Sequence, residues 1–183
     1  MEKIGVFCSA SDTIDEIYFL KANELGEWMG KQNKTLVYGG ANLGLMECVA
    51  KAVKQNGGTV IGVVPAKLEE NGKVSTVPDK IFHTNNLSDR KDIILRESDI
   101  LVALPGGIGT LDEVFHVMAA ASIGYHSKKV VFYNVDGFFN GLIHILESVY
   151  EKHFARHILS HYYDVANTFD ELTNLLTQPP KND

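Results

Sequence analysis

Residues 104–113, with the sequence LPGGIGTLDE, combine groups that could bind an anion with a group that could do acid–base chemistry. The glycines follow an apolar run and precede an amphipathic one, which predicts a loop between a strand and a helix. Such a loop offers bare backbone N–H groups and the positive end of a helix to a phosphate. Glu113 adds a carboxylate near the start of that helix. The segment therefore predicts chemistry on a phosphorylated small molecule.

Both features also have purely structural interpretations. The glycines could serve only the dihedral angles of a tight turn, since the segment lacks the lysine of a P-loop and the spacing of a dinucleotide fingerprint. Thr110 and Glu113 stand in capping-box spacing, in which both side chains satisfy N–H groups at a helix start. Glu113 could also be solvated, because it lies opposite the apolar stripe. A catalytic Glu113 would instead stabilise positive charge at a sugar carbon or activate water there.

A carboxylate beside a phosphate site needs a nearby cation, and Arg90 and Lys91 are the candidates. Both fall in the first turn of a predicted helix that Ser88 and Asp89 open. The positive end of a helix disfavours each cation by about 0.3–1 kcal/mol. Asp89 offsets part of this cost, and a bound anion would offset more. The alternative is an ordinary exposed basic pair.

Residues with this chemistry need a scaffold that brings them together. Apolar strand-like segments alternate with helix-like ones, which is typical of a parallel sheet covered on both faces. The predicted strands span residues 3–8, 35–38, 59–64, 80–84, 100–104, 129–134 and 162–166. The predicted helices span residues 13–30, 45–55, 88–97, 109–122, 138–152 and 169–176. The sequence thus predicts a single-domain, Rossmann-like, doubly wound α/β fold over residues 1–177, with a flexible tail at 178–183.

Three glycine- or serine-rich loops follow predicted strands, at residues 9–12, 39–44 and 106–110. The carboxyl ends of parallel strands share one edge of the sheet, so these loops are expected to line one crevice near a topological switch point. Segment 9–12 also carries residues that suit a helix cap. The polar segment 66–78 predicts a mobile loop that could close over the crevice as a lid.

Composition narrows the class of protein. The chain has 183 residues and a net charge of −6, which argues against a broad nucleic-acid-binding surface. Cys8 and Cys48 form neither a metal-binding nor a disulfide pattern and favour a reducing compartment. No segment predicts a signal peptide, and no apolar run is long enough to span a bilayer. These features predict a soluble, cytoplasmic protein without membrane contacts.

Two further patterns could indicate a functional site or an interface, and each also has a purely structural interpretation. His153, His157 and His161 are spaced by four and could bind zinc from one helix face, but a polar surface stripe is the favoured interpretation because no acidic or cysteine ligand stands beside them. Residues 114–123 are apolar on most faces of a helix, which predicts either a homodimer seam or a deeply buried helix.

Together these segments resemble the LOG family, the cytokinin riboside 5′-monophosphate phosphoribohydrolases, long labelled as lysine decarboxylases. The resemblance covers nearly the whole chain. It is carried by the segments VFCSAS at 6–11, YGGANLGLM at 38–46, Arg90-Lys91, PGGIGTLDE at 105–113 and NVDGFFN at 134–140. The fourth segment matches the family signature P-G-G-x-G-T-x-x-E in full, and the Arg-Lys pair stands at the family's position upstream.

The resemblance implies hydrolysis of the N-glycosidic bond of a nucleoside 5′-monophosphate, which yields a free base and ribose 5-phosphate. It implies that Arg90 and Glu113 are the catalytic pair. It implies no metal and no organic cofactor, a small-molecule nucleotide substrate, and a homodimer. The residues that would bind the substrate are Ser9, Gly40, Asn42, Gly44, Met46, Lys91, Gly106, Gly107, Gly109 and Thr110.

The chain departs from the family pattern at several positions. It has Ala41 for a glycine, Glu47 for a glycine, Leu-Ser-Asp for Met-His-Glu before Arg90, and Ala120 and Ser122 for a tryptophan and a glutamine. These departures leave the preferred base open between AMP and a cytokinin nucleotide. The main rival function is a non-catalytic nucleotide or molybdenum-cofactor carrier of the same fold. A lysine decarboxylase is disfavoured, because it needs pyridoxal phosphate on a Schiff-base lysine and no lysine stands in a recognisable cofactor motif.

Overall fold

A computed structural model of the chain describes residues 2–155 and 158–178. Within these residues the strands are β1 (Lys3–Phe7), β2 (Thr35–Tyr38), β3 (Thr59–Pro65), β4 (Lys80–Thr84), β5 (Ile100–Ala103), β6 (Val130–Tyr133) and β7 (Tyr163–Ala166). The helices are α1 (Glu16–Lys31), α2 (Gly44–Gln55), α3 (Ala66–Glu70), α4 (Leu87–Glu97), α5 (Ile108–Ser122), α6 (Asn140–Glu151) and α7 (Phe169–Thr177). Most boundaries agree with the predicted ones within three residues.

The seven strands form one parallel sheet in the order β4-β3-β2-β1-β5-β6-β7. Helices cover both faces because the central strands are apolar on both sides. Leu25 of α1, Val49 of α2 and Leu172 of α7 belong to the core on one face. Ile94 of α4 and Val117 of α5 belong to the core on the other. The predicted Rossmann-like, doubly wound α/β fold is confirmed.

The chain reverses its direction of growth across the sheet at β1. Strands β2 to β4 are added on one side of β1 and β5 to β7 on the other. This reversal is a topological switch point, where ligands bind beyond the carboxyl ends of the strands. The three predicted loops follow β1, β2 and β5, which are neighbours there. The Ser9 N–H donates to the Pro105 carbonyl at 3.2 Å, and the Leu45 N–H donates to the Ser9 carbonyl at 3.0 Å. The expected clustering of the loops is confirmed.

The start of α1 corrects one prediction. The helix begins at Glu16 rather than at residue 13, and Asp15, the N-cap residue just before it, makes no side-chain capping bond. The Asp12 carboxylate instead accepts a hydrogen bond from the Gly44 N–H at 2.9 Å. A side chain that appeared suited to capping α1 therefore holds the start of α2 against the loop after β1.

The structure of segment 66–78 differs from the prediction. It was predicted as a loop, but its first five residues, Ala66–Glu70, form the short helix α3. The Asn42 N–H donates to the Lys73 carbonyl at 3.1 Å, and the Ser75 N–H donates to the Gly40 carbonyl at 2.9 Å. Backbone hydrogen bonds thus attach this segment to the glycine loop after β2.

The histidine pattern does not form one helix face. His153 lies in a turn after α6 with a φ of 62°, and His161 lies in the 3-10 turn Leu159–His161. His157 and most of the predicted tail, residues 179–183, lie outside the described residues. Among the residues described, no group of three His, Cys, Asp or Glu side chains could hold a metal ion. In the same part of the chain, every helix is too short or too polar to cross a bilayer.

Candidate active site

The residue at which α5 starts determines whether the Glu113 side chain can cap that helix. Gly107 is the N-terminal flanking residue of α5, and the helix makes no side-chain capping bond. Thr110 is consequently the third residue inside the helix, so the predicted capping box is wrong. Glu113 is 3% exposed and belongs to the buried part of the helix, so the solvated alternative is wrong too. Neither structural alternative accounts for this carboxylate.

The Glu113 carboxylate meets the side chain of Arg90 on α4. Helix α4 begins at Leu87, and its cap is Asn86, whose side chain accepts from the Asp89 N–H at 2.9 Å, rather than the predicted Ser88 and Asp89. The Arg90 Nη1 donates to Glu113 Oε1 at 2.5 Å. Only 9% of Arg90 is exposed. The predicted exposed basic pair is therefore wrong for Arg90, which forms a buried ion pair across two helices.

A backbone carbonyl is the second hydrogen-bond partner of the guanidinium. The Arg90 Nε donates to the Val63 carbonyl of β3 at 3.3 Å. The guanidinium thereby connects the carboxyl end of β3 to α5. Sequence reasoning missed Val63, and no signal could have revealed it, because the contact uses a main-chain atom that every residue possesses.

Burial and charge act on Glu113 in opposite directions. Burial raises the pKa of the Glu113 carboxyl, and the Arg90 guanidinium offsets part of that rise. The expected effect of Arg90 has the predicted sign, but desolvation outweighs it and the net pKa lies above the ordinary value. A carboxylate with a raised pKa in a cleft is typical of a functional site.

Lys91 lies one residue further along α4 and forms a second cross-helix pair. Its Nζ donates to both carboxylate oxygens of Asp112, at 2.8 and 2.9 Å. The Lys91 side chain is 14% exposed and that of Asp112 is 53% exposed. Sequence analysis missed Asp112, although it stands inside the signature segment. The two pairs together fix α5 against α4 beside the loop after β5.

Backbone conformation or close packing favours glycine at several loop positions. Gly40 and Gly44 have φ values of 74° and 52°, in the left-handed region that favours glycine. A side chain at Gly106 would overlap the Thr110 hydroxyl and lie 3.0 Å from the Ser9 nitrogen. Backbone conformation thus favours glycine at positions 40 and 44, and close packing favours it at position 106.

At Gly107 and Gly109, neither backbone conformation nor packing requires a glycine. Neither has a positive φ, and a Cβ atom at either would meet nothing within 4 Å. Packing does not require glycine there, whereas close approach of a ligand to the backbone would. These residues start α5, whose first N–H groups have no partner within the helix. The loop can present them to an anion as predicted.

The remaining predicted residues lie in the loop after β1, in the loop after β2 and at the start of α2. Ser9 Oγ accepts from the Ser11 N–H at 3.1 Å, which shapes the loop after β1. Asn42 is exposed and Met46 is half-buried in the first turn of α2. Met46 also approaches the position beside Gly39, next to Arg90. The fold thus gathers residues of four separate chain segments at the switch point.

This arrangement defines a class: a Rossmann-like α/β protein with glycine loops at the switch point and a buried Arg–Glu pair beside them. The family described as "Possible lysine decarboxylase" matches residues 46–176. The chain is 37% identical over 176 residues to "Probable cytokinin riboside 5′-monophosphate phosphoribohydrolase LOGL2" of Oryza sativa subsp. japonica, covering 96% of this chain and 72% of that protein. It is 33% identical over 183 residues to "Cytokinin riboside 5′-monophosphate phosphoribohydrolase LOG5" of Arabidopsis thaliana, covering 100% and 80%. The chain belongs to this family, the LOG family, as its motifs indicated.

A solved structure shares the architecture. The Moco carrier protein from Chlamydomonas reinhardtii superposes with a TM-score of 0.74 at 27% identity, covering 97% of this chain and 96% of that one. The same scaffold therefore occurs in phosphoribohydrolases and in a protein described as a carrier.

Proposed function

We propose that this chain is a hydrolase that cleaves the N-glycosidic bond of a nucleoside 5′-monophosphate, giving the free base and ribose 5-phosphate. The observation that carries the proposal is the buried Arg90–Glu113 pair beside a loop suited to phosphate. A carrier has no need of a buried carboxylate with a raised pKa at this place. The names of the curated relatives support the same reaction.

In this proposal each group has a defined task. Backbone N–H groups at Gly107 and Gly109, with the Thr110 hydroxyl, hold the 5′-phosphate and so anchor the ribose. Glu113 faces the sugar and stabilises the positive charge that develops as the base departs, or orients the attacking water. Arg90 binds the substrate and favours the ionised form of Glu113. We expect the reaction to need no metal and no organic cofactor.

We propose a purine nucleoside monophosphate as substrate, with AMP at least as good as a cytokinin riboside 5′-monophosphate. The relatives are named for cytokinin nucleotides, but this chain differs from the family pattern at Ala41 and Glu47, beside the loop after β2. It also differs at Ala120 and Ser122, which lie near the C-terminal end of α5. Ala120 is about 10 Å along the helix from Glu113, at a rise of 1.5 Å per residue.

Release of base from two nucleotides tests the proposal. Purified protein is incubated with AMP and with isopentenyladenosine 5′-monophosphate, and free base and ribose 5-phosphate are separated by chromatography. We expect equal amounts of the two products from at least one substrate. Adenosine, which lacks the phosphate, serves as the control and should react far more slowly. If purine and pyrimidine monophosphates all stay intact, the hydrolase proposal fails.

The pH dependence of turnover provides a second test. Because burial raises the pKa of Glu113 and the ionised form is the active one, turnover should be lost on the acid side at a higher pH than an ordinary glutamate of pKa about 4.3 would dictate. The measurement is kcat at saturating AMP between pH 4 and 8. An acid limb at or below about 4.3 would contradict the assigned role of Glu113.

The fold similarity to a Moco carrier favours one alternative, a carrier that binds a phosphorylated ligand without turnover. Tight binding of AMP with no base release would support it. The family description suggests lysine decarboxylation instead. That reaction requires a free amine on a lysine that forms a Schiff base. Lys91, the lysine next to the Arg90–Glu113 pair, is engaged with Asp112.

We also propose that the protein is a cytoplasmic homodimer that does not bind nucleic acid. Only part of the apolar segment 114–123 is buried: Val114 and Val117 face the core, while Phe115 is 42% exposed and Ile123, just after α5, is 69% exposed. A second copy of the chain packed on α5 would cover these side chains.

A further inference from the structure

The Arg90 guanidinium has a third neighbour, Gly39, that makes no hydrogen bond to it. Gly39 lies directly after β2, at the carboxyl edge of the sheet. A Cβ atom built on Gly39 would overlap Arg90 Nη2 and lie 3.0 Å from Arg90 Cζ. The guanidinium therefore lies directly against the backbone at the end of β2, in space that any other residue's side chain would fill.

We propose that Gly39 is a positioning residue for the reaction assigned above: its missing side chain provides the seat in which Arg90 is held toward Glu113. The inference rests on the proposed function. The Val63 carbonyl fixes Nε, Glu113 accepts from Nη1, and the bare backbone at Gly39 receives the Nη2 side. Three contacts from separate segments leave the guanidinium one orientation.

Alanine at position 39 should move the arginine and leave the backbone in place. Gly39 is not among the residues with positive φ, so an alanine fits its conformation without strain. The overlapping atoms are the end of a long flexible side chain, and the next contact, Met46 Sδ, is at an ordinary 3.4 Å. At Gly40 the outcome would differ, because its φ of 74° strains any other residue.

Gly39→Ala should lower kcat for base release from AMP by about 10- to 100-fold, since a displacement of about 1 Å at a catalytic group can cost 100-fold. The acid limb of the kcat profile should move to higher pH, because Arg90 no longer lowers the pKa of Glu113 as strongly. Gly141→Ala is the matched control. It adds the same methyl group to open space on α6, and turnover should not change.

A double-mutant cycle separates this role from a general effect on the fold. Lysine has no Nη2 atom, so Arg90→Lys removes the atom that a methyl group at position 39 would overlap most strongly. We expect Gly39→Ala to cost less than about threefold when it is introduced into Arg90→Lys, because the two residues act through one contact. An equal loss in both backgrounds would overturn the proposal.

A spectroscopic measurement tests the seat without relying on turnover. The chain has three arginines, Arg90, Arg96 and Arg156, so guanidinium signals can be assigned in ¹⁵N-edited spectra by substitution. The Nη protons of Arg90, held by Glu113 and buried, should exchange slowly in the native protein and rapidly in Gly39→Ala. Slow exchange in both would overturn the proposal. This result stands even if AMP is never cleaved, so failure of the seat and failure of the hydrolase are distinguishable.

Discussion

Glu113→Gln should lower kcat for adenine release from AMP by about a thousandfold while the protein stays folded. Glutamine has nearly the same shape, and its side-chain oxygen can still accept from Arg90 Nη1. In the proposed mechanism, what is lost is the negative charge that faces the sugar as it becomes positive in the transition state. A defect confined to kcat would place the interaction in the transition state rather than in substrate binding.

The control for this change is Glu24→Gln, which removes an exposed carboxylate from a surface pair with Lys21 on α1. Its turnover should equal that of the native protein. Steady-state kinetics and thermal denaturation of both variants separate chemistry from folding. Native turnover in Glu113→Gln would mean that Glu113 serves only to neutralise buried Arg90, and the hydrolytic mechanism would be abandoned.

Arg90→Ala should destabilise the folded protein by about 3–5 kcal/mol near pH 7, in addition to abolishing turnover. The change leaves the Glu113 carboxylate buried without its partner. Removing the cation that lowers the pKa of Glu113 also raises that pKa further above the unfolded value of about 4.3. Above this value the unfolded state ionises while the buried carboxyl resists, so stability falls as the pH rises.

The deficit of Arg90→Ala relative to the native protein should therefore be smallest near pH 4 and grow toward pH 7. Urea unfolding at several pH values measures it. Adding Glu113→Ala should recover part of the lost stability, because no buried charge then lacks a partner. Arg96→Ala is the control: its side chain is 65% exposed, and the change should stay within about 0.5 kcal/mol at every pH. A deficit that does not depend on pH would contradict this account.

The fold could be predicted from the chain because its signals are local. Apolar runs such as Ile100–Ala103 form strands, and the glycine-rich segments that follow them lie at one edge of the sheet, as parallel strands require. The signature segment also identified Glu113, and the Arg-Lys pair identified Arg90. In each case the residue type and its spacing carry the information.

The depth and orientation of the site could not be predicted. Whether Glu113 caps α5 depends on where the helix starts. If Thr110 flanked the helix, Glu113 would stand in a capping box, but the flanking residue is Gly107 and Glu113 lies inside the helix. The seat at Gly39 exists only because α4 passes over the ends of β2 and β3. The hydrogen bond to Val63 involves no side chain on the strand. Such contacts arise from tertiary packing, so local sequence does not encode them.

The reversal of the sheet at β1 divides the proposed catalytic pair between two portions of the polypeptide. The first portion ends with α4 and contains Arg90 together with Gly39 and Val63, which contact its guanidinium. The second portion begins with β5 and contains Glu113. Each portion has strands and helices of its own, but neither contains both members of the pair. Turnover would therefore report on the alignment of the two portions at the junction between β1 and β5. A molecule in which each portion is folded but the two are misaligned would have no activity.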